Sequence, residues 1–167
     1  MKKTGMIAIG ALIVAIFAPF TVVSGGGGME DETFYNDKGL THYNRAYYDY
    51  LASGKTEQAG EEFEKAAEAF LKAVKINDRF VEAYRNLGRV YTVQKKDELA
   101  VEAYRKVVAL DPENVENYLP LASALQRTGK CGEARDVLAR AKSLAADPAV
   151  RDALDKMIEK MKDLGER

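Results

Sequence analysis

The sequence predicts an all-α fold of helical hairpins stacked side by side, and three observations carry that expectation. From Phe34 to Leu164 apolar residues recur at spacings of three and four, the signature of one buried helical stripe. Short polar or Gly- and Pro-containing breaks cut that pattern into paired stretches. One such pair recurs 34 residues further on with matching residue types.

Residues 1–24 are of a different kind. Met1-Lys2-Lys3 is a short basic start, and Met6 to Val23 carries no charge over eighteen residues. At ~1.5 Å per residue such a helix reaches roughly 27 Å, close to the ~30 Å hydrocarbon core of a bilayer. The segment reads as a retained signal-anchor or as a cleaved signal peptide. Its length and the lack of a clean A-x-A-like pair favour retention, while Pro19 and the small residues near Ser24-Gly25 suit a peptidase. No Cys lies near residue 25, so a lipid-modified terminus is not available. Residues 25–33 form a Gly-rich and acidic linker. Lys2 and Lys3 stay cytoplasmic in both readings, which puts residues 30–167 outside the cytoplasm. The expected location is the outer, periplasmic or extracytoplasmic, face of the cytoplasmic membrane on a single N-terminal helix; the alternative is cleavage and export.

Composition excludes several classes. The 47% hydrophobic and 31% charged content fits a soluble globular domain with something apolar attached. Without Lys2 and Lys3, 23 basic residues face 26 acidic ones, a balance that argues against nucleic acid as a partner. Cys131 is alone, so no internal disulfide forms; it reads as a small residue in a first helical turn, with an intermolecular disulfide or reactive thiol as the sharper alternative. No CxxCH motif for covalent haem occurs.

The first pair runs as a helix from Phe34 to about Ala52, a turn at Ser53-Gly54-Lys55, and a helix from Thr56 to Ile76. Aromatic residues concentrate here: Phe34, Tyr35, Tyr43, Tyr47, Tyr48 and Tyr50. Packing of Tyr43, Tyr47 and Tyr50 on Ala59, Phe63 and Ala66 is the plain reading. An aromatic contact surface at Tyr47, Tyr48 and Tyr50 is the sharper one, since both stripes of the helix are aromatic and one must be partly exposed. His42 has no second His or HExxH near it and reads as a packing or hydrogen-bonding residue, not a metal ligand. The acids Glu57, Glu61, Glu62, Glu64 and Glu68 read as a solvated helix face.

The second pair is Val81 to Pro112. Val81, Tyr84, Leu87, Gly88 and Tyr91 line one helix; Lys95, Lys96 and Asp97 interrupt; Leu99, Ala100, Tyr104, Val107 and Val108 line the other; Asp111-Pro112 stops it. At matching spacings Tyr84, Leu87, Gly88, Tyr91, Ala100, Tyr104 and Pro112 resemble the tetratricopeptide repeat. Gly88 and Ala100 let the two helices approach, with Tyr84 and Tyr91 filling the space around them. Against that pattern the first pair, through Tyr35, Gly39, His42, Ala66, Phe70 and Ala73, holds fifteen residues too many between its halves. Two extra turns on each helix absorb them, so this hairpin should project as a finger with sides Arg45 to Ala52 and Thr56 to Phe63.

The third pair, residues 115–146, repeats the unit with Val115, Tyr118, Leu121, Ala122, Leu125, Ala134, Leu138 and Ala141. Pro120 falls inside its first helix, tolerable only in the opening turn. Pro148 arrives two residues late, which predicts a final helix half a turn longer. A capping helix over 147–165 follows, with Asp147 as cap, Pro148 at its first position, and Val150, Leu154, Met157, Ile158, Met161 and Leu164 on one stripe.

The resemblance implies a short right-handed arc whose first helices line a concave side that binds a segment of a partner protein. By spacing, that partner-binding groove holds Asn36, Leu40, Tyr43 and Asn44; Arg85, Asn86, Arg89 and Thr92; and Leu119, Ser123, Gln126 and Arg127. Arg85, Arg89 and Arg127 would suit an acidic segment or a C-terminal carboxylate. No cofactor, metal or catalytic constellation is expected, because no nucleophile, base and orienting group occur together. The expected function is a non-enzymatic scaffold of the bacterial-type cell envelope that helps assemble or stabilise a larger complex. The alternative is a permanent structural subunit that makes contact through the aromatic first hairpin and the outer helix faces.

Overall fold

The computed structural model describes residues 30–165, with the backbone alone for 163–165. Among the described residues there are seven α-helices and no strand: α1 Glu32–Asn44, α2 Thr56–Ile76, α3 Val81–Val93, α4 Asp97–Leu110, α5 Tyr118–Arg127, α6 Cys131–Leu144 and α7 Pro148–Gly165. A π-helical segment, Arg45–Leu51, continues α1, and a single 3₁₀ turn, Val115–Asn117, leads into α5. The signal or anchor helix expected over residues 1–24 and most of the linker lie outside the described residues. No described helix is long and apolar enough to cross a membrane.

Local chemistry fixes where the helices begin and turn. Asp31 caps α1, its carboxylate accepting from the Phe34 amide at 2.8 Å. Each hairpin then turns through one residue with left-handed backbone: Gly54 (φ 73°), Lys95 (φ 58°) and Gly129 (φ 76°). The next amide reaches back to a carbonyl of the last helical turn, Lys55 to Tyr50 at 2.9 Å, Lys96 to Tyr91 at 2.8 Å and Lys130 to Leu125 at 2.9 Å. Three hairpins thus share one turn geometry, although only two supply the glycine that suits it.

Packing within each hairpin rests on an aromatic or aliphatic group seated where a side chain is missing. A Cβ placed on Gly88 would lie 2.5 Å from the Tyr104 ring, and one on Gly39 would lie 2.5 Å from Phe70. Gly88 and Tyr104 are sixteen residues apart and Gly39 and Phe70 thirty-one, so the surplus of fifteen in the first pair is recovered from geometry. In the third pair Ala122 and Leu138 hold these places, both wholly buried: a methyl on one helix is matched by a smaller group on the other. Tyr104 takes the seat at Gly88 itself, while Tyr91 packs against the cluster that holds Ala100, and both Tyr84 and Tyr91 stay partly exposed.

Two apolar clusters follow. One joins Ala46, Ala59, Phe63, Ala66 and Phe70 to Leu87, Val90 and Ala103, holding the first hairpin on the second. The other runs from Ala100 and Tyr104 through Tyr118, Leu121 and Leu125 to Leu138, Leu154 and Met161, holding the second, third and last elements together. α7 closes the stack through Leu154 and Met161, with Met157 and Ile158 half-buried, while Val150 stays 39% exposed. Asp147 accepts from the Ala149 amide at 2.8 Å, as a cap should.

Two expectations change. α6 and α4 are both fourteen residues long, so the late Pro148 does not reflect a longer helix. The extra residues form the connection Ala145 to Asp147, which Arg151 secures by donating to the carbonyls of Ala145 at 2.7 Å and Ala146 at 2.9 Å. Pro120 is third in α5, within the turn whose amides have no intrahelical acceptor, so it costs no hydrogen bond.

Candidate functional site

The π-helical winding of Arg45–Leu51 shapes the site. An i→i+5 bond, Ala52 N to Tyr47 O at 3.3 Å, puts more residues into that turn than an α-helix has. Tyr43 and Tyr47, four residues apart, lie parallel with centroids 6.1 Å apart, and Tyr48 meets Tyr47 edge-on at 5.2 Å. Tyr43 is anchored from behind by Phe63 of α2, edge to face at 5.6 Å. Opposite this wall stand Arg89, Thr92 and Val93 of α3 and Tyr104 of α4, enclosing a cleft of about 340 Å³.

The cleft is aromatic on two sides and cationic between them. The Arg89 guanidinium sits 5.0 Å from the centre of the Tyr43 ring, a cation–π arrangement, and enters no ion pair among the described residues. Tyr47 is 43% and Tyr48 67% exposed, so water covers much of the wall. Tyr104, by contrast, is buried, and that burial raises its hydroxyl above the usual phenol range. The phenol therefore stays protonated and able to donate.

Of the residues expected in the groove, Tyr43, Arg89 and Thr92 meet in this cleft. Tyr47 and Tyr48, expected on a separate aromatic surface, line the same cleft, whereas Tyr50 packs against the core of the first two pairs. Several others are occupied inside the chain. Asn86 donates to Asn36, which is buried, at 3.0 Å; Arg85 donates to Asn117 at 3.0 Å; Arg127 donates to Asp97 at 2.5 Å, to Ser123 at 3.1 Å and to Thr92 at 3.2 Å. These contacts tie one hairpin to the next. The Arg127 charge is neutralised by Asp97, and of the three arginines only Arg85 and Arg89 lack an acidic partner among the described residues. Asn44 is exposed, and Gln126 and Leu40 are half-buried; none of the three lines the cleft. Leu119 is 37% exposed. Tyr104 was not foreseen as a cleft residue, because its place in the repeat signature marks it as core.

His42 and Glu62 form a second polar centre. Glu62 is buried and accepts from His42 Nδ1 at 2.8 Å, Lys65 Nζ at 2.6 Å and, at 3.4 Å, Arg45. The His42 and Lys65 donors hold its carboxyl below the usual carboxylate value near 4.5. Glu62 is thus no part of a solvated face, a correction to the acid-run reading: one turn from Ala59 and Ala66, it faces α1. Among the described residues no cluster of His, Cys, Asp and Glu could hold a metal ion. Cys131 is half-buried at the start of α6.

Comparison with known proteins places this architecture. Residues 48–115 and 98–157 each match a family model of the tetratricopeptide repeat. Anaphase-promoting complex subunit 3 of Schizosaccharomyces pombe is 31% identical over 67 residues, 40% of this chain and 10% of that protein, so the chain spans about a tenth of that relative's length. The Arabidopsis OM64 TPR domain superposes with a TM-score of 0.59 at 21% identity, covering 80% of this chain and 98% of that one. The Yersinia enterocolitica type III secretion chaperone SycD, solved in complex with a peptide of the translocator YopD, gives 0.54 at 20% identity over 78% of this chain and 93% of that one. With two overlapping family matches from residue 48 to 157 and a recurring Gly-aromatic seat, the chain belongs to the tetratricopeptide-repeat family.

Proposed function

We propose that this chain is a non-enzymatic scaffold that grips a segment of a partner protein in the cleft between the aromatic end of the first hairpin and α3. The observation that carries this reading is the cleft wall: exposed Tyr47 and Tyr48 facing an Arg89 that has no acidic partner among the described residues. Rigid aromatic faces bury apolar side chains at little entropic cost, and an uncompensated guanidinium selects a carboxylate beside them. The partner segment is therefore one with an apolar or aromatic residue next to an acidic one or a free C-terminus. A peptide bound to the structurally similar SycD supports the mode of binding.

The length and lack of charge of the run Met6 to Val23 support a scaffold held at, or released from, the outer face of the cytoplasmic membrane, in the role of helping to assemble or stabilise a larger envelope complex. The alternative of a permanent structural subunit draws on the same exposed Tyr47 and Tyr48, and the two differ in whether the partner exchanges. Affinity purification of the full chain in mild detergent should recover a stoichiometric partner, lost in Arg89→Ala and in Tyr48→Ala but retained in Ser123→Ala. Recovery unchanged in the first two variants would overturn the assignment of the cleft. A partner that never exchanges with labelled free copies would favour the structural subunit.

A further inference from the structure

A trough on another side of α3 has no role in the reading above. Its floor is Tyr84, Leu87 and Tyr91 of α3, its walls are Leu71 of α2 and Leu99 and Ala103 of α4, and it encloses about 660 Å³. Leu71 is 48% and Leu99 42% exposed, so two large aliphatic side chains stand at its lips in water. Burying them is favourable, and no element among the described residues does it.

The charges around the trough indicate what covers it. Along α4, Glu98 and Glu102 come first and Arg105 and Lys106 follow, with Glu102, Arg105 and Lys106 lining the trough. α2 and α4 both run antiparallel to α3, so Lys75, one turn beyond Leu71, adds to the basic end. Arg105 is paired with Glu133, but Glu102, Lys106 and Lys75 enter no ion pair among the described residues. An apolar strip that is acidic at one end and basic at the other complements itself when turned end for end. That is the requirement of a two-fold contact, where residue i meets j and j meets i.

We propose that this trough is a homodimer interface. α4 of one protomer crosses α4 of its partner antiparallel, the Leu71 and Leu99 side chains of each enter the other's trough, and Glu102 of each meets Lys106 of the other. The aromatic cleft uses Arg89 and Thr92, on a different stripe of α3 from Tyr84, Leu87 and Tyr91, so dimerisation leaves both clefts open.

The test is the mass of the full chain in detergent, by sedimentation equilibrium, with circular dichroism to verify folding. The wild type should be a dimer, and Leu99→Asp, Glu102→Lys and Lys106→Glu should each weaken it by roughly tenfold or more through a buried or like-charge clash. The double variant Glu102→Lys/Lys106→Glu should restore the dimer, because each reversed charge again meets its opposite across the axis. Arg89→Ala, which disables the cleft, should leave the dimer intact, so failure of either reading is seen separately. A monomeric wild type, a dimer indifferent to Leu99→Asp, or no restoration in the double variant would each overturn the proposal.

Discussion

Single atoms decide how closely these helices can lie. Gly88 and Gly39 are seats for Tyr104 and Phe70, so Gly88→Ala and Gly39→Ala should each cost about 1–3 kcal/mol, because the ring has to give way in a packed core. Gly60 is the control. It lies within α2 with nothing inside 4 Å of an added Cβ, and Gly60→Ala should stabilise by about 0.5–1 kcal/mol through helix propensity. Urea denaturation of the three variants would reveal the opposite signs. Glu62 supplies a second prediction. Its folded-state pKa lies below the ordinary value near 4.5, so its stabilising contribution is fully present above that pH and is lost as pH falls through the folded-state value. Glu62→Gln should therefore be less stable than wild type at about pH 7, and the gap should narrow by about pH 3. Urea midpoints at the two pH values check it. Neither effect was fully legible in the sequence: Gly88 was recognisable as a small site, but Tyr104 was not foreseen as its occupant, and Glu62 looked like one of five exposed acids. Residues twenty positions apart, such as His42 and Glu62, meet only once the hairpin closes.

Helices and their turns carry the next level of the argument. Periodicity located each helix among the described residues to within a few residues, and proline, glycine and polar breaks located the stops, because these signals depend on near neighbours in the chain. The π-helical winding of Arg45–Leu51 left no such mark, since it changes which way side chains point without changing their apolar pattern. Tyr47 and Tyr48 of that segment nevertheless line one cleft with Arg89 and Thr92, so two surfaces that looked separate are one. Lys95 shows the same limit from another direction. It is a non-glycine residue in the left-handed position that Gly54 and Gly129 fill in the other hairpins. Lys95→Gly should relieve that strain and raise stability by up to about 1 kcal/mol, offset in part by a freer unfolded chain. A rise in Tm, with no change in helical content, is the expected reading.

Stacked hairpins stabilise one another mainly through nearest neighbours, so the last surface matters as much as the first. α7 covers the apolar side of α5 and α6 with Leu154 and Met161. Leu154→Ala should cost about 2–5 kcal/mol, because Leu154 is 2% exposed and its loss leaves a cavity. Removing residues 148–167 altogether should uncover that face, and the chain should then aggregate or lose the third pair. Light scattering and hydrogen exchange of α5 and α6 amides would register this, and retained protection there would count against a capping role. Of the polar clasps between hairpins, the exposed Arg127–Asp97 pair sets register more than it adds stability, since exposed pairs are worth about 0–1 kcal/mol. Asn86, by contrast, satisfies the buried Asn36, whose side chain would otherwise lose its partner.

The order of residues determined that the described part of this chain is helical, that its hairpins recur, and that each keeps apolar surface for a neighbour, because those properties follow from spacing along one strand of polymer. Which residues share a cleft is another matter. Tyr47, Arg89 and Tyr104 come from three helices and are separated by fifteen to fifty-seven positions, so their meeting depends on how far one hairpin is lengthened, how its end is wound and how closely the next one seats. Those distances follow from packing, and packing exists only when the helices are brought together.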